Sequence, residues 1–256
     1  MKKIALALAA ALMIPGAAMA ETVKVGVAPE PYPPFVVPDA SGGWAGWEID
    51  MIHAVCKAAE MDCEIVFLAW DGLIPALTTN QIDAIMNSLS ITEDRLQVID
   101  FSDKYYNTPA VIVAAKGANI TPDAEGLKGK ILGVQTSTIH ATYAEKYFGD
   151  SVAEIKVYQT QDEANQDLVA GRIDATQADS IAMDGFLQSA DGQACCELMG
   201  AVADDPAILG SGVGVGLRKG DEALKAKFNE GIAKVLADGT YDEISKKYFS
   251  SSIYGE

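Results

Sequence analysis

Arg95 closes a run of hydroxyl and acidic residues, Ser88-Leu-Ser90-Ile-Thr92-Glu-Asp-Arg95, and that order suits the capture of an anion. Ser90 or Thr92 can cap a helix whose first turn contains the arginine, where a cation opposes the helix dipole. A bound carboxylate would offset that cost, because a guanidinium fork and the N–H groups of a helix start converge on one anion. An exposed Arg95 paired with Glu93 or Asp94 is an equal alternative from the residues alone. A second anion-accepting turn lies at Gln135-Thr-Ser-Thr-Ile139-His140, where a strand over 131–134 gives way to a helix; ordinary Ser/Thr capping accounts for it as well. Asp179 is a candidate partner for an ammonium, and Tyr32 and Trp70 could sandwich an aliphatic or cationic side chain. Taken singly, each is also an ordinary acid or core aromatic. Taken together, they suit a zwitterion.

Signs of enzyme or cofactor chemistry are few. His53 and His140 are isolated, and His53 reads as a surface or half-buried helix residue. The glycines of Gly210-Ser-Gly-Val-Gly-Val-Gly216 alternate and never give the dinucleotide spacing, so the segment reads as a strand or crossing segment packed against another backbone. The chain carries no phosphate-loop lysine, no H-E-x-x-H and no G-x-S-x-G. No metal and no cofactor are expected.

Alternating elements must position these groups. Val23, Val25 and Val27 recur at period two, Ile49, Ile52 and Cys56 follow at helical spacing, and an apolar strand is expected over 65–68. Further elements follow: a helix over 73–77, extended segments over 82–86, 111–114 and 131–134, and a helix over 162–170. The order is that of an α/β fold with largely parallel sheets. Leu77-Thr-Thr-Asn-Gln-Ile82-Asp-Ala84 is echoed by Leu168-Val-Ala-Gly-Arg-Ile173-Asp-Ala175, as two lobes built on one plan would produce. Past each Ile-Asp-Ala strand stand polar residues, Asn87, Ser88 and Ser90 in one copy and Gln177 and Asp179 in the other, and ligands of open α/β sheets bind at such carboxyl ends. Near the C-terminus, Leu224, Phe228, Ile232, Val235 and Leu236 share a helix face, Gly239 stops that helix, and Thr240 with Glu243 forms a capping box for the next.

Lys2 and Lys3 precede an apolar run over 4–14, and Ala18-Met-Ala20 offers small residues for cleavage, so a secretory signal cut after Ala20 is expected. Its removal takes two lysines and no acids from a chain of formal net charge −17, which argues against nucleic acid as a partner. Export also favours a Cys56–Cys63 disulfide, whereas adjacent Cys195 and Cys196 could join or stay reduced.

The chain resembles the polar amino-acid binding proteins of bacterial ABC importers, nearest to the lysine/arginine/ornithine, histidine and opine binders. The resemblance spans the mature chain and rests on Tyr32-Pro-Pro-Phe35, Gly46-Trp-Glu-Ile-Asp-Met51, Trp70-Asp-Gly-Leu-Ile-Pro75, the segment from Ile82 to Arg95, Gly214-Val-Gly-Leu-Arg218 and Asp238-Gly-Thr-Tyr-Asp-Glu-Ile244. It implies a two-lobed type II binding protein of the periplasm, each lobe a mixed, mostly parallel sheet flanked by helices. Lobe one would span 22–108 and 210–256 and lobe two 109–209, joined by two crossing segments. By resemblance, Arg95 clamps the ligand carboxylate with the Ser90 and Ile139 N–H groups, while Asp179 and Ser90 hold the α-ammonium with the Ser88 carbonyl. Tyr32 and Trp70 stack on the side chain, and Glu30, Asn87, Gln135 and His140 read its far end. The implied ligand is a free polar or basic L-amino acid or an opine, delivered by a monomer to a membrane permease–ATPase complex. A periplasmic enzyme of the cyclohexadienyl dehydratase type and a sensory ligand-binding protein are the rivals on the same fold. Trp47 stands where phenylalanine is usual, and residues 29–34 are proline-rich and one residue longer than in the basic amino-acid binders.

Overall fold

The computed structural model describes residues 22–255; the expected signal segment lies outside them. Among the described residues no helix is long and apolar enough to cross a membrane. The first part of the chain contains β1 (Val23–Val27), β2 (Val37–Pro38), β3 (Trp44–Ala45), α1 (Trp47–Ala58), β4 (Cys63–Phe67), α2 (Leu73–Thr78), β5 (Ala84–Ile85), α3 (Glu93–Val98) and β6 (Asp100–Tyr106). The middle part contains β7 (Ala110–Ala115), β8 (Ile131–Gln135), α4 (Ile139–Phe148), β9 (Glu154–Tyr158), α5 (Gln161–Val169), β10 (Ala175–Asp179), α6 (Ser180–Gln188), α7 (Ala190–Cys195), β11 (Cys196–Ala201) and α8 (Pro206–Leu209). The chain ends in β12 (Val213–Leu217), α9 (Glu222–Ala237) and α10 (Thr240–Ser245).

Two five-stranded sheets result, ordered β4-β1-β5-β12-β6 and β11-β7-β10-β8-β9. The sheets are mixed in a regular way. β12 pairs antiparallel with both its neighbours, and so does β7, while the remaining pairings are parallel. Each sheet therefore has one reversed strand, and it is the strand by which the chain arrives from the other sheet. The carboxyl ends of the remaining strands face the two connections, 107–109 and 202–212, and so face each other. This is the two-lobed type II α/β architecture.

Apolar periodicity decides what packs where. Trp47, fully buried, donates its Nε1–H to Ser245 Oγ at 3.0 Å and stacks on Tyr105 at 5.9 Å between ring centroids, so the larger indole is absorbed by packing. The stripe predicted near the C-terminus forms α9, with Phe228, Ile232 and Val235 buried. Gly210, ahead of β12, packs against another backbone as the alternating glycines suggest: a Cβ there would lie 2.5 Å from the Ile91 carbonyl oxygen. Cys56 in α1 and Cys63 in β4 form the expected disulfide, with Cα atoms 6.2 Å apart, and the adjacent Cys195 and Cys196 are also joined.

Two local expectations are corrected. The N-cap of α10 is Gly239 in a left-handed conformation (φ 86°), and Thr240 is the first helical residue, so no capping box forms with Glu243. The Asp238 carboxylate accepts the Thr240 N–H at 2.9 Å instead, doing the capping from one residue farther back. The extended segment over 82–86 shrinks to Ala84–Ile85, because the chain turns directly after it to build the cleft.

Candidate functional site

The facing strand ends line a single cleft between the two sheets. One wall comes from the first sheet: Glu30 and Tyr32 follow β1, Trp70 follows β4, Asn87, Ser88 and Ser90 follow β5, and Arg95 stands on α3. The other wall comes from the second sheet: Gln135 ends β8, Thr138, Ile139 and His140 open α4, Gln161 opens α5, and Asp179 ends β10. The eleven residues expected to contact a ligand all line this one cavity. Thr138 and Gln161 are additions.

Arg95 is the third residue of α3, whose N-cap Thr92 accepts the Arg95 N–H at 3.3 Å. Neither Glu93 nor Asp94 pairs with it. Its guanidinium instead donates to the Ser90 carbonyl at 2.9 Å and the Ser137 carbonyl at 3.4 Å, and lies 5.8 Å from the centre of the Trp70 ring. Burial pulls Arg95 down to about 10, with the Asp179 charge opposing, so it stays cationic near neutrality. Two carbonyls and an aromatic face orient a charge that they do not neutralise.

Asp179 is the N-cap of α6 and is 6% exposed. The Tyr32 hydroxyl donates to its Oδ2 at 2.6 Å, and His140 Nε2 lies 3.4 Å from its Oδ1. Burial and the neighbouring Asp179 charge push the Tyr32 phenol well above the usual tyrosine range, which keeps it a donor. At another point of the cleft Gln135 donates to Glu30 Oε1 at 2.6 Å and to the Gln159 carbonyl at 3.0 Å. Burial pushes the Glu30 carboxyl up to about 7, against the hydrogen bond from Gln135. Both short bonds run from the first sheet's wall to the second's.

The wall behind Ser88 also holds a buried carboxyl. Glu48, on α1 and fully buried, accepts the Ser88 N–H at 2.9 Å and the Ser88 hydroxyl at 3.0 Å, and it takes a further bond from Tyr105. These bonds hold Ser88 at φ 52°, a left-handed conformation unusual for serine. Asn87 faces inward less freely than expected, since its Oδ1 accepts the Ala28 N–H at 2.7 Å and ties β5 to the end of β1. On the opposite wall Thr138 caps α4, accepting the Ala141 N–H at 3.1 Å, and Ile139 follows as its first residue, with one of the N–H groups a helix start leaves open.

Residues 23–251 match the model of the bacterial extracellular solute-binding proteins, family 3. The chain belongs to that family. An L-arginine-binding protein of Pseudomonas aeruginosa is 41% identical over 100% of this chain and 99% of its own. A histidine-binding periplasmic protein of Salmonella typhimurium is 40% identical over the full length of both. Among solved structures, an ancestral arginine-binding protein bound to arginine superposes with a TM-score of 0.81 at 32% identity, covering 90% of this chain and 98% of that one.

Within this family 3 protein, Glu48 is the residue that motif reading passes over. It stands inside Gly46-Trp-Glu-Ile-Asp-Met51, where an acid in a helix first turn reads as dipole complement. Its position gave a better signal. Glu48 lies three, four and seven residues before Met51, Ile52 and Val55, on the buried stripe of α1, and an acid on such a stripe needs partners. Gln161 is tied into the second lobe by bonds to Asn165 Oδ1 at 3.0 Å and Thr176 Oγ1 at 2.9 Å, which sequence spacing does not disclose.

Proposed function

We propose that this protein captures one cationic L-α-amino acid, arginine or lysine in class, by closing its lobes over it in the periplasm, and presents the closed form to a membrane ABC importer. The lobes would be 22–108 with 210–256, and 109–209. One observation carries the reading: a cavity between the two sheets holds Arg95 and Asp179 on its two walls and adds a second carboxyl, Glu30. Arg95 and Asp179 match the carboxylate and ammonium of the ligand backbone. That pairing leaves Glu30 over, and a cationic side chain would answer it. An opine brings a second carboxylate, and Arg95 is the one arginine or lysine lining the cavity among the described residues. The names of the relatives, binders of arginine and of histidine, agree with a ligand of this kind. The expected export signal at the N-terminus and the periplasmic naming of the histidine-binding relative support the compartment.

The enzyme alternative has one observation in its favour, since a dehydratase needs a protonated pocket acid and Glu30 sits at about 7. Incubation with prephenate or arogenate separates the two readings, and no turnover is expected. The direct test of binding is a thermal-shift panel of L-arginine, L-lysine, L-ornithine, L-histidine, L-glutamine and octopine. A ligand that binds only the native state raises its melting point. Arginine and lysine should give the largest shifts, and a flat panel would refute the proposal.

A further inference from the structure

Gly185 lies in the middle of α6, and the three atoms nearest to an added Cβ there all belong to Pro33. Its backbone is helical, with φ outside the left-handed range, and glycine is a poor helix former. What excludes a side chain there comes from the other lobe. A Cβ on Gly185 would stand 2.7 Å from the Pro33 carbonyl oxygen and 3.1 Å from the Pro33 carbonyl carbon. Both are backbone atoms of the proline-rich segment 29–34, which cannot swing aside as a long side chain would.

We infer that Gly185 sets how far the two lobes close, by admitting the Pro33 backbone against α6. The inference rests on the proposed closure over a ligand and adds the contact that limits it. Both ends of the contact are tied to the site. Asp179 is the N-cap of α6, and Ala182, Met183 and Phe186 bury that helix in the second lobe, so Gly185 and Asp179 move as one body. Pro33 directly follows Tyr32, whose hydroxyl donates to Asp179 at 2.6 Å, and Glu30 of the same segment accepts from Gln135 at 2.6 Å. Restoring the 3.4 Å of ordinary van der Waals contact from 2.7 Å would push Pro33 back by about 0.7 Å. The same displacement would stretch the Tyr32–Asp179 bond beyond 3 Å, where a hydroxyl–carboxylate hydrogen bond is weak. Gly185 is thus a positioning residue: it lies outside the lining of the cavity, and it acts through Tyr32 and Glu30.

Gly185→Ala tests this, because alanine favours the helix and opposes the closed form. The expected result is an unliganded melting point unchanged or higher than wild type, with affinity for L-arginine in calorimetry lowered tenfold or more. In a Tyr32→Phe background the alanine should cost much less, since the bond it stretches is already gone. An unchanged dissociation constant overturns the inference, as does a loss of affinity that follows a parallel loss of unliganded stability. Wild-type protein that takes up no amino acid in the same titrations would instead remove the functional reading beneath it, a result separable from both.

Discussion

Arg95 and Asp179 carry opposite charges into one cavity, and among the described residues neither has a salt bridge to a charged side chain of fixed sign. The proposed zwitterionic ligand would supply a partner to each. Arg95→Ala and Asp179→Ala are each expected to cost ~2–5 kcal/mol of binding, the usual result of deleting one member of a buried charged pair. Calorimetric titration of each variant with L-arginine checks this. Glu30 adds a pH dependence. Its carboxyl titrates near 7 in the free protein, above the ordinary 4.5, and a cation bound beside it selects the ionised form. Below pH 7 the cation must expel a proton to bind, so affinity for L-arginine should fall about tenfold from pH 8 to pH 6. Glu30→Gln should bind more weakly and lose most of that slope. Fold stability runs the other way. Glu30 and Glu48 both rise to about 7 from 4.5, so their share of stability is complete below about 4.5 and is lost as pH rises through 7. At this scale the residues that line the cavity were legible because most stand in motifs at or just past the end of a strand. The bonds joining Tyr32 to Asp179 and Glu30 to Gln135 were not, since their partners lie 147 and 105 residues apart.

Elements place these residues by ending where they do. β1, β5, β8 and β10 each stop at the cleft, with Glu30 and Asn87 a few residues past the first two and Gln135 and Asp179 ending the last two, and α3, α4 and α6 begin there with Thr92, Thr138 and Asp179 as N-caps. Strands and helices with clear periodicity, such as β1 and α9, were readable from spacing alone. The place of β5 was readable too, but not its length: only two of the residues over 82–86 pair, held by neighbours on both sides, β1 and β12. The true capping box, Thr160 with Glu163 at the start of α5, is chemically the same signal as Thr240 with Glu243. What separates them is Gly239, whose left-handed backbone starts α10 one residue early. The Cys56–Cys63 bridge ties the end of α1, which carries Glu48, to the start of β4. Replacing both cysteines with alanine should cost about 2–3 kcal/mol of stability for so short a loop, measured by denaturant unfolding, while leaving ligand selectivity intact. A matching loss of selectivity would show that the bridge also holds Glu48 in register.

At the scale of the whole molecule, one reversed strand in each sheet turns a repeated βα plan into two lobes whose ligand-binding ends face each other. The echo of Ile82-Asp-Ala84 in Ile173-Asp-Ala175 was the visible trace of that plan. The reversal itself was not visible, because the alternation of apolar residues in β7 and β12 is the same whichever way a strand runs. The proposed closure would move these two bodies about 107–109 and 202–212, and saturating L-arginine should lower the radius of gyration measured by X-ray scattering. The most direct test of the central claim compares L-arginine with agmatine, which keeps the guanidinium side chain and lacks the carboxylate. Calorimetric titration of the wild-type protein should give one L-arginine bound per chain, with agmatine weaker on the order of a hundredfold because Arg95 is left unpaired in a closed cavity. No heat from L-arginine, or equal affinity for the two, would contradict it.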